Sequence, residues 1–355
     1  MAFSFAILKN ENDSDHMGWI HACECSKIPL RYSVIDITRH DWLEKANAED
    51  FDCYLTRPPG ITTHFKQLYD ERVYILYAVL GRNIYPSYNE ILMYENKRML
   101  AYWLKANGVP HPETWIFYDK GEALGFTETC SLPIVAKTAI GASGSGVRII
   151  RRRQDLRDYV EHAFSEKGIK RRWGPNIRRG DLWKRFVRRL KHIPESYRYF
   201  HDRYIAVHMS AHRWFVLFQK YIDCDFEWRA VRIGNSYFAH RKVRKRGEMF
   251  SGTSEVSWDR PSLNLLDFVK DVCNKGGFFS QAIDIFEDKE GNFLVNELQC
   301  FFGSKNPHQM IVDGKPGRYL YREDQWIFDE GDYNTNESFD LRLQHVIELL
   351  ERKAH

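Results

Sequence analysis

Long apolar runs are missing from this sequence. A run such as Val73–Leu80 (VYILYAVL) is far short of the ~20 residues that a membrane-spanning helix needs. Mean hydropathy is −0.52. The opening residues, MAFSFAILKN, lack the basic start, long apolar stretch and small-residue cleavage site of a secretory signal. Internal repeats and low-complexity tracts are absent, and composition excludes collagen, coiled coil and a disordered chain. Cysteine is sparse and poorly paired. Seven residues, at 23, 25, 53, 130, 224, 273 and 300, include no CxxC pair and no Cys/His ligand spacing. This argues against a disulfide framework and for a reducing, cytoplasmic setting, with most thiols acting as small buried hydrophobes.

What remains is an ordinary globular composition at 355 residues, with 43% hydrophobic and 28% charged side chains. That length suggests two or three domains and a core large enough to need no staples. Aromatics reach 15%, consistent with a large core. Net charge is only +4, but it is unevenly placed. Residues 151–203 hold 17 Lys/Arg against 7 Asp/Glu, a net of +10, so the rest of the chain is close to −6.

Residues 1–92 alternate between β and α patterns. Strands are expected at Phe3–Leu8, Tyr32–Ile37 and Phe51–Thr56, separated by amphipathic stretches. Such alternation predicts a mostly parallel sheet covered by helices. A single helix is expected over Ser87–Asn107, ended by Gly108 with Pro110 and Pro112 beyond. Strands follow at Thr114–Tyr118, Pro133–Lys137 and Gly146–Ile150. The basic segment carries helical stretches at Gln154–Phe164 and Leu182–His192. Further strands are expected at Trp214–Tyr221, Trp228–Ile233 and Tyr237–Arg241, then a helix at Leu263–Asn274. A hairpin follows, Ala282–Phe286 with Phe293–Gln299, then a tail of turns and a last helix, Phe339–Lys353.

The hairpin carries chemistry. Pairing Phe286 with Phe293 sets Asp284 opposite Val295 and makes Glu297 its diagonal neighbour. Period-two alternation then puts Asp284, Glu297 and Gln299 on one face. Two carboxylates and a carboxamide suit Mg²⁺, a hard ion taking oxygen ligands. The glycine-rich turn after Lys137 spans Gly141, Ser143, Gly144, Ser145 and Gly146. Its backbone N–H groups can meet phosphate oxygens. It is neither a Walker A loop nor a dinucleotide fingerprint. Gln219-Lys220-Tyr221-Ile222 ends an apolar strand whose backbone edge can read adenine, with acidic residues just beyond for ribose hydroxyls. Each element alone also fits a plainer reading: a solvated hairpin face, a Gly/Ser turn, a strand running into a polar loop.

Their order along the chain resembles the ATP-grasp carboxylate–amine ligases, the superfamily of D-alanine–D-alanine ligase, glutathione synthetase and the ribosomal-protein glutamate ligases. The likeness runs over about residues 85–303. It implies an α/β (α+β) architecture: an N-terminal parallel α/β domain (1–92), a central subdomain (93–217), a C-terminal subdomain with the metal site (218–315) and a tail (316–355). A basic helical insertion falls at about 151–212. Within Glu95-Asn96-Lys97-Arg98, Lys97 resembles the first nucleotide-phosphate lysine and Lys137 the second. Gln219–Ile222 resembles the adenine hinge, Glu227 the ribose acid, and Arg229 the substrate-facing arginine. Either Arg241 or Lys242 resembles the basic residue near the transferred phosphate. Asp284, Glu297 and Gln299, at spacings of 13 and 15 residues, resemble the family's metal site. Gln299 departs from the usual Asn, Gln219 from Glu, and Phe250-Ser251-Gly252 from a Ser-Asn pair.

The resemblance implies ATP and Mg²⁺ (with Mn²⁺ as a substitute), two ions in all, and ADP-forming ligation of a carboxylate to an amine through an acylphosphate. The basic insertion points to an anionic substrate such as an acidic glycan, nucleotide-sugar or peptide. Partners are thus a carboxylate and an amine, with a homodimer left open. Two other readings stand beside it. One is a non-catalytic ATP-binding scaffold. The other, less favoured, is nucleic-acid binding by the Arg clusters with Trp173 and Trp183.

Overall fold

The computed structural model describes residues 2–60, 62–140, 146–171, 204, 211–243, 256–302 and 306–354. Gly141, Ser143, Gly144, Ser145, the expected helix at Leu182–His192 and Phe250-Ser251-Gly252 lie outside the described residues, as does most of the basic segment.

Three sheets organise the described residues. The first is parallel, in the order β2-β1-β3-β4, from β1 (Phe3–Lys9), β2 (Leu30–Asp36), β3 (Cys53–Leu55) and β4 (Ile84–Tyr85). Strand β1 reads FSFAILK, the unbroken apolar run of a strand buried on both faces. Phe5 and Ile7 enter one core with Trp19 of α1 (Met17–Glu24). Ala6 and Leu8 enter another with Tyr69 and Val73 of α3 (Thr63–Tyr74), which follows α2 (Trp42–Asn47). The face of Phe5 and Ile7 is closed by the last helix, through Phe339, Leu343, Val346 and Ile347. That helix therefore covers the first sheet, although it lies at the far end of the chain.

The expected single helix at 87–107 is two: α4 (Tyr88–Met93) and α5 (Lys97–Ala106). Glu95 adopts a left-handed φ of 50°. Asn96 then starts α5 by accepting the Met99 N–H at 3.2 Å. An Asn side chain competes with helical hydrogen bonding, and its capping geometry outweighs the continuous apolar pattern. Gly108 does end the helix, at φ 59°.

The second sheet is antiparallel, β5-β8-β6-β7, from β5 (Thr114–Phe117), β6 (Ile134–Lys137), β7 (Val147–Ile150) and β8 (Val216–Lys220). Ile134, Ala136, Ile150, Val216 and Phe218 form its core. Ala123 of α6 (Lys120–Thr129) and Leu156 and Val160 of α7 (Arg153–Ala163) pack into the same core. Alternation sends Lys137, Leu217 and Gln219 to the opposite face.

The third sheet has eight strands. Its path is β13-β12-β9-β10-β15-β14, with β11 added to β10 and β16 to β15. These are β9 (Phe226–Ile233), β10 (Ser236–Val243), β11 (Val256–Ser257), β12 (Ser280–Glu287), β13 (Phe293–Gln299), β14 (Ile311–Val312), β15 (Lys315–Arg322) and β16 (Gln325–Glu330). Helix α8 (Leu263–Gly276) starts on the Ser262 side chain and stops at left-handed Gly277. The stretch after β13, expected to hold turn residues before α9 (Phe339–Ala354), thus supplies three strands. Pro316 and Gly317 hid β15 from a propensity reading. The Asp313-Gly314 pair, with φ of 52° and 80°, was the hairpin signal available.

Trp19 ties these parts together. It is fully buried, donates Nε1–H to the Thr56 carbonyl at 3.0 Å, and meets Tyr85, Phe301 and Phe339 edge-on. Trp19→Ala should cost about 3–5 kcal/mol. A urea melt reads this as a lower midpoint at unchanged slope; a loss under about 1 kcal/mol would show that the three rings close the gap.

Candidate active site

The ladder of the third sheet collects charge on one face. Lys242 pairs with Glu227, His240 with Arg229, Arg229 with Asp284, and Asp284 with Glu297. Directly opposed residues project to the same side, so five charged side chains and one histidine share a face. Gln299, two residues beyond Glu297, shares it too.

The hairpin register differs from the expected one. Glu287 pairs with Phe293, and the ladder shifts between Asp284 and Ile285. A bulge leaves Asn296 without a register partner and brings Glu297 directly opposite Asp284, where Val295 was expected. Asn296 becomes the joint between two sheets. Its Oδ1 accepts from Lys137 Nζ at 2.8 Å, and its Nδ2 donates to Glu227 Oε1 at 2.6 Å. Sequence reasoning missed it; the signal was an Asn, a poor strand former, amid strand residues.

The ion pairs are dense. Arg229 makes a bidentate pair with Asp284, Nη2 lying 2.9 Å from Oδ2. Lys242 Nζ lies 2.6 Å from Asp284 and 3.3 Å from Glu227. Lys97 Nζ lies 3.6 Å from Glu297 and 3.7 Å from Glu95. Burial alone would raise the Asp284 carboxyl, but Arg229 and Lys242 hold it far below the usual carboxylate range. Burial raises Glu227, and Lys242 only partly offsets this. Lys97 is pushed down by burial yet ends raised, through Glu95 and Glu297. Lys137 falls to about 8, because burial is the dominant cause and Lys97 adds repulsion. His240 falls to about 4 through burial and donates its Nδ1–H to the Gln309 carbonyl 2.8 Å away, since a carbonyl only accepts.

Other candidates fall elsewhere. Arg241 points to the opposite face, its guanidinium 4.0 Å from the Phe226 ring and 4.6 Å from Trp228. Of the Arg241/Lys242 pair, Lys242 is the one in the cluster. Gln219 is buried on the Lys137 face of the second sheet, with Nε2 3.4 Å from Thr114 Oγ1. Lys220 is exposed at the strand end, and Tyr221 and Ile222 are half-buried just past it. Gly146 admits no side chain, since a Cβ there would sit 1.8 Å from Thr138 Oγ1.

Among the described residues, no group of three or more His, Cys, Asp and Glu is placed to hold a metal. The donors are two opposed carboxylates and the Gln299 amide on their face. These are hard oxygen donors of the kind Mg²⁺ accepts alongside phosphate and water oxygens, so the set fits that ion. Glu297 is the more open ligand, because both oxygens of Asp284 already receive cations.

Comparison with known proteins follows the same outline. Residues 97–194 match the family model of the carbamoyl-phosphate synthase L chain ATP-binding domain. The D-alanine–D-alanine ligase of Coxiella burnetii superposes over 99% of this chain and 96% of its own, at a TM-score of 0.55 and 12% identity. The chain has the ATP-grasp fold. The alpha-aminoadipate–LysW ligase LysX of Saccharolobus solfataricus is 23% identical over 274 residues, covering 76% of this ATP-grasp chain and 83% of that ligase. A 45-residue stretch is 47% identical to pyruvate carboxylase of Aspergillus terreus, spanning 13% of this chain and 4% of that enzyme's length. Among the described residues, no helix is long and apolar enough to cross a membrane.

Lys137 gives a test of this electrostatic picture. The unfolded chain keeps that proton up to the ordinary lysine value of 10.5, while the folded chain gives it up near 8. Between those values the unfolded state binds more protons, so the group's contribution to stability rises with pH. Lys137→Met should lack that rise. Equal pH slopes for the two proteins between pH 8 and 10.5, read by urea melts, would refute the depressed value.

Proposed function

We propose that this protein is an ATP-dependent ligase that activates a carboxylate as an acylphosphate and joins it to an amine. The observation that supports this reading best is the buried cluster in which Lys97 and Lys137 from one side meet Asp284, Glu297, Arg229 and Lys242 from the other. Phosphoryl transfer asks for charge neutralisation and alignment more than for a protein nucleophile.

In this reading Lys97 and Lys137 bind the nucleotide phosphates, with the turn at Gly141–Gly146 closing over them. Gln219–Ile222 receives adenine and Glu227 the ribose. Glu297, Asp284 and Gln299 would hold Mg²⁺, which would supply charge neutralisation for the phosphate oxygens. Lys242 neutralises the transferred phosphate, and Arg229 steadies the acyl oxygen. An amine then attacks the acyl carbon and phosphate leaves. The substrate is anionic in our reading, drawn by the net +10 over 151–203. The free thiols, six of them buried, agree with a reducing, cytoplasmic setting.

Glu297→Ala should lower ADP release by a factor of 100 or more while leaving the melting temperature within a few degrees. ADP release at the wild-type rate would remove Glu297 from the mechanism. The substrates can be found by screening carboxylate and amine pairs for coupled ADP release, with mass spectrometry of each mixture. A product equal to acid plus amine less water supports the ligase; nucleotide binding with no turnover across the screen favours the scaffold reading.

A further inference from the structure

The end of the basic segment reaches back to the nucleotide lysines. His212 is buried, at 5% exposed. Its backbone pairs with Ile169 as an isolated antiparallel bridge, N–H to carbonyl in both directions at 2.8 and 2.9 Å. Residues 169 and 212 are thereby pinned together, at either end of the stretch between them.

Its ring is pinned as well. Nδ1 lies 3.3 Å from the Ala139 backbone nitrogen, and Nε2 lies 2.6 Å from the Phe215 carbonyl. An amide N–H can only donate and a carbonyl can only accept. The imidazole must therefore be neutral, bare at Nδ1 and protonated at Nε2. Burial, which lowers its pKa to about 4, agrees with that form.

Ala139 is held from its other side too, since its carbonyl accepts the backbone N–H of Lys97 at 3.3 Å. It stands two residues after Lys137. One short backbone segment thus links the strand that carries Lys137 to the first residue of the helix that carries Lys97. Thr138 adds rigidity by donating its N–H to the Gly146 carbonyl at 2.9 Å and its hydroxyl to the Ile140 carbonyl at 2.8 Å.

We infer that His212 is a positioning residue for nucleotide binding: by accepting the Ala139 N–H it fixes the backbone that sets Lys97 and Lys137 against each other. The inference rests on the ATP-binding reading above.

Two substitutions separate the ring's two bonds. His212→Asn keeps an acceptor at the Nδ1 position and loses the bond to Phe215. His212→Gln reaches the Nε2 position and leaves the Ala139 N–H without its acceptor. Calorimetric titration with a non-hydrolysable ATP analogue and Mg²⁺ should show His212→Asn within about threefold of wild type and His212→Gln weaker by roughly tenfold, the worth of one buried hydrogen bond. Thermal melts should show similar losses for both. Equal weakening of the two variants, or none in His212→Gln, would overturn the inference while leaving the ATP reading in place. A wild-type protein that fails to bind the analogue would overturn both. Nitrogen NMR of the wild-type imidazole needs no variant: the expected signature is protonation at Nε2 alone, and a proton at Nδ1 would refute the geometry.

Discussion

Everything at the centre of this molecule depends on charges buried in opposing pairs. Lys97, Lys137, Arg229 and Lys242 face Glu95, Glu227, Asp284 and Glu297, and five of these eight are nine-tenths or more buried. Taking an ion from water costs several kcal/mol, so the most deeply buried members, such as Asp284, depend on their partners, while Glu297 is the most open of the eight and Lys97 has Glu95 besides it. Such lattices contribute little net stability, but they fix where each group stands. Asn296 makes that fixity extend across two sheets, because its amide is satisfied on one side by a lysine of β6 and on the other by a glutamate of β9. In the proposed reading, a polyanion entering with its divalent ion would trade one set of partners for another rather than leave charges bare.

The sheets are arranged to serve this lattice. In the second and third sheets, strand alternation sends apolar side chains toward helices or the sheet's own core and polar ones toward the cluster. α4 anchors the same region from the first sheet's side. Its buried Glu90 accepts backbone N–H groups from Ser87, Phe279 and Ser280 at 2.7–2.8 Å, which ties the start of β12 four residues before Asp284. Burial raises that carboxyl to about 7, against three donors that favour its charge.

Much of this was legible in the residues, for reasons that can be named. The parallel sheet followed from strand–helix alternation. Asp284, Glu297 and Gln299 do share a face, but through the bulge at Asn296; the pairing nearest the turn, Ile285 opposite Val295, would by itself set Glu297 on the other side. What period two does not supply is phase. It could not say that a bulge would set Asp284 against Glu297, nor whether Arg241 or Lys242 would turn inward. The former depends on an unpaired Asn296, the latter on Phe226 and Trp228 offering Arg241 aromatic faces. The helix break at Glu95-Asn96 was hidden by apolar residues that continue in step on both sides. His212 was unreadable because its meaning lies in Ala139 and Phe215, one distant in sequence and neither conspicuous.

The closure of β1 by α9 has a consequence for biosynthesis. Phe5 and Ile7 leave the ribosome more than 330 residues ahead of their cover, Phe339 to Ile347. Throughout that interval one side of β1 lacks the native lid that α9 supplies. The nascent chain must shelter that surface, by chaperone or by transient collapse, until α9 emerges and docks.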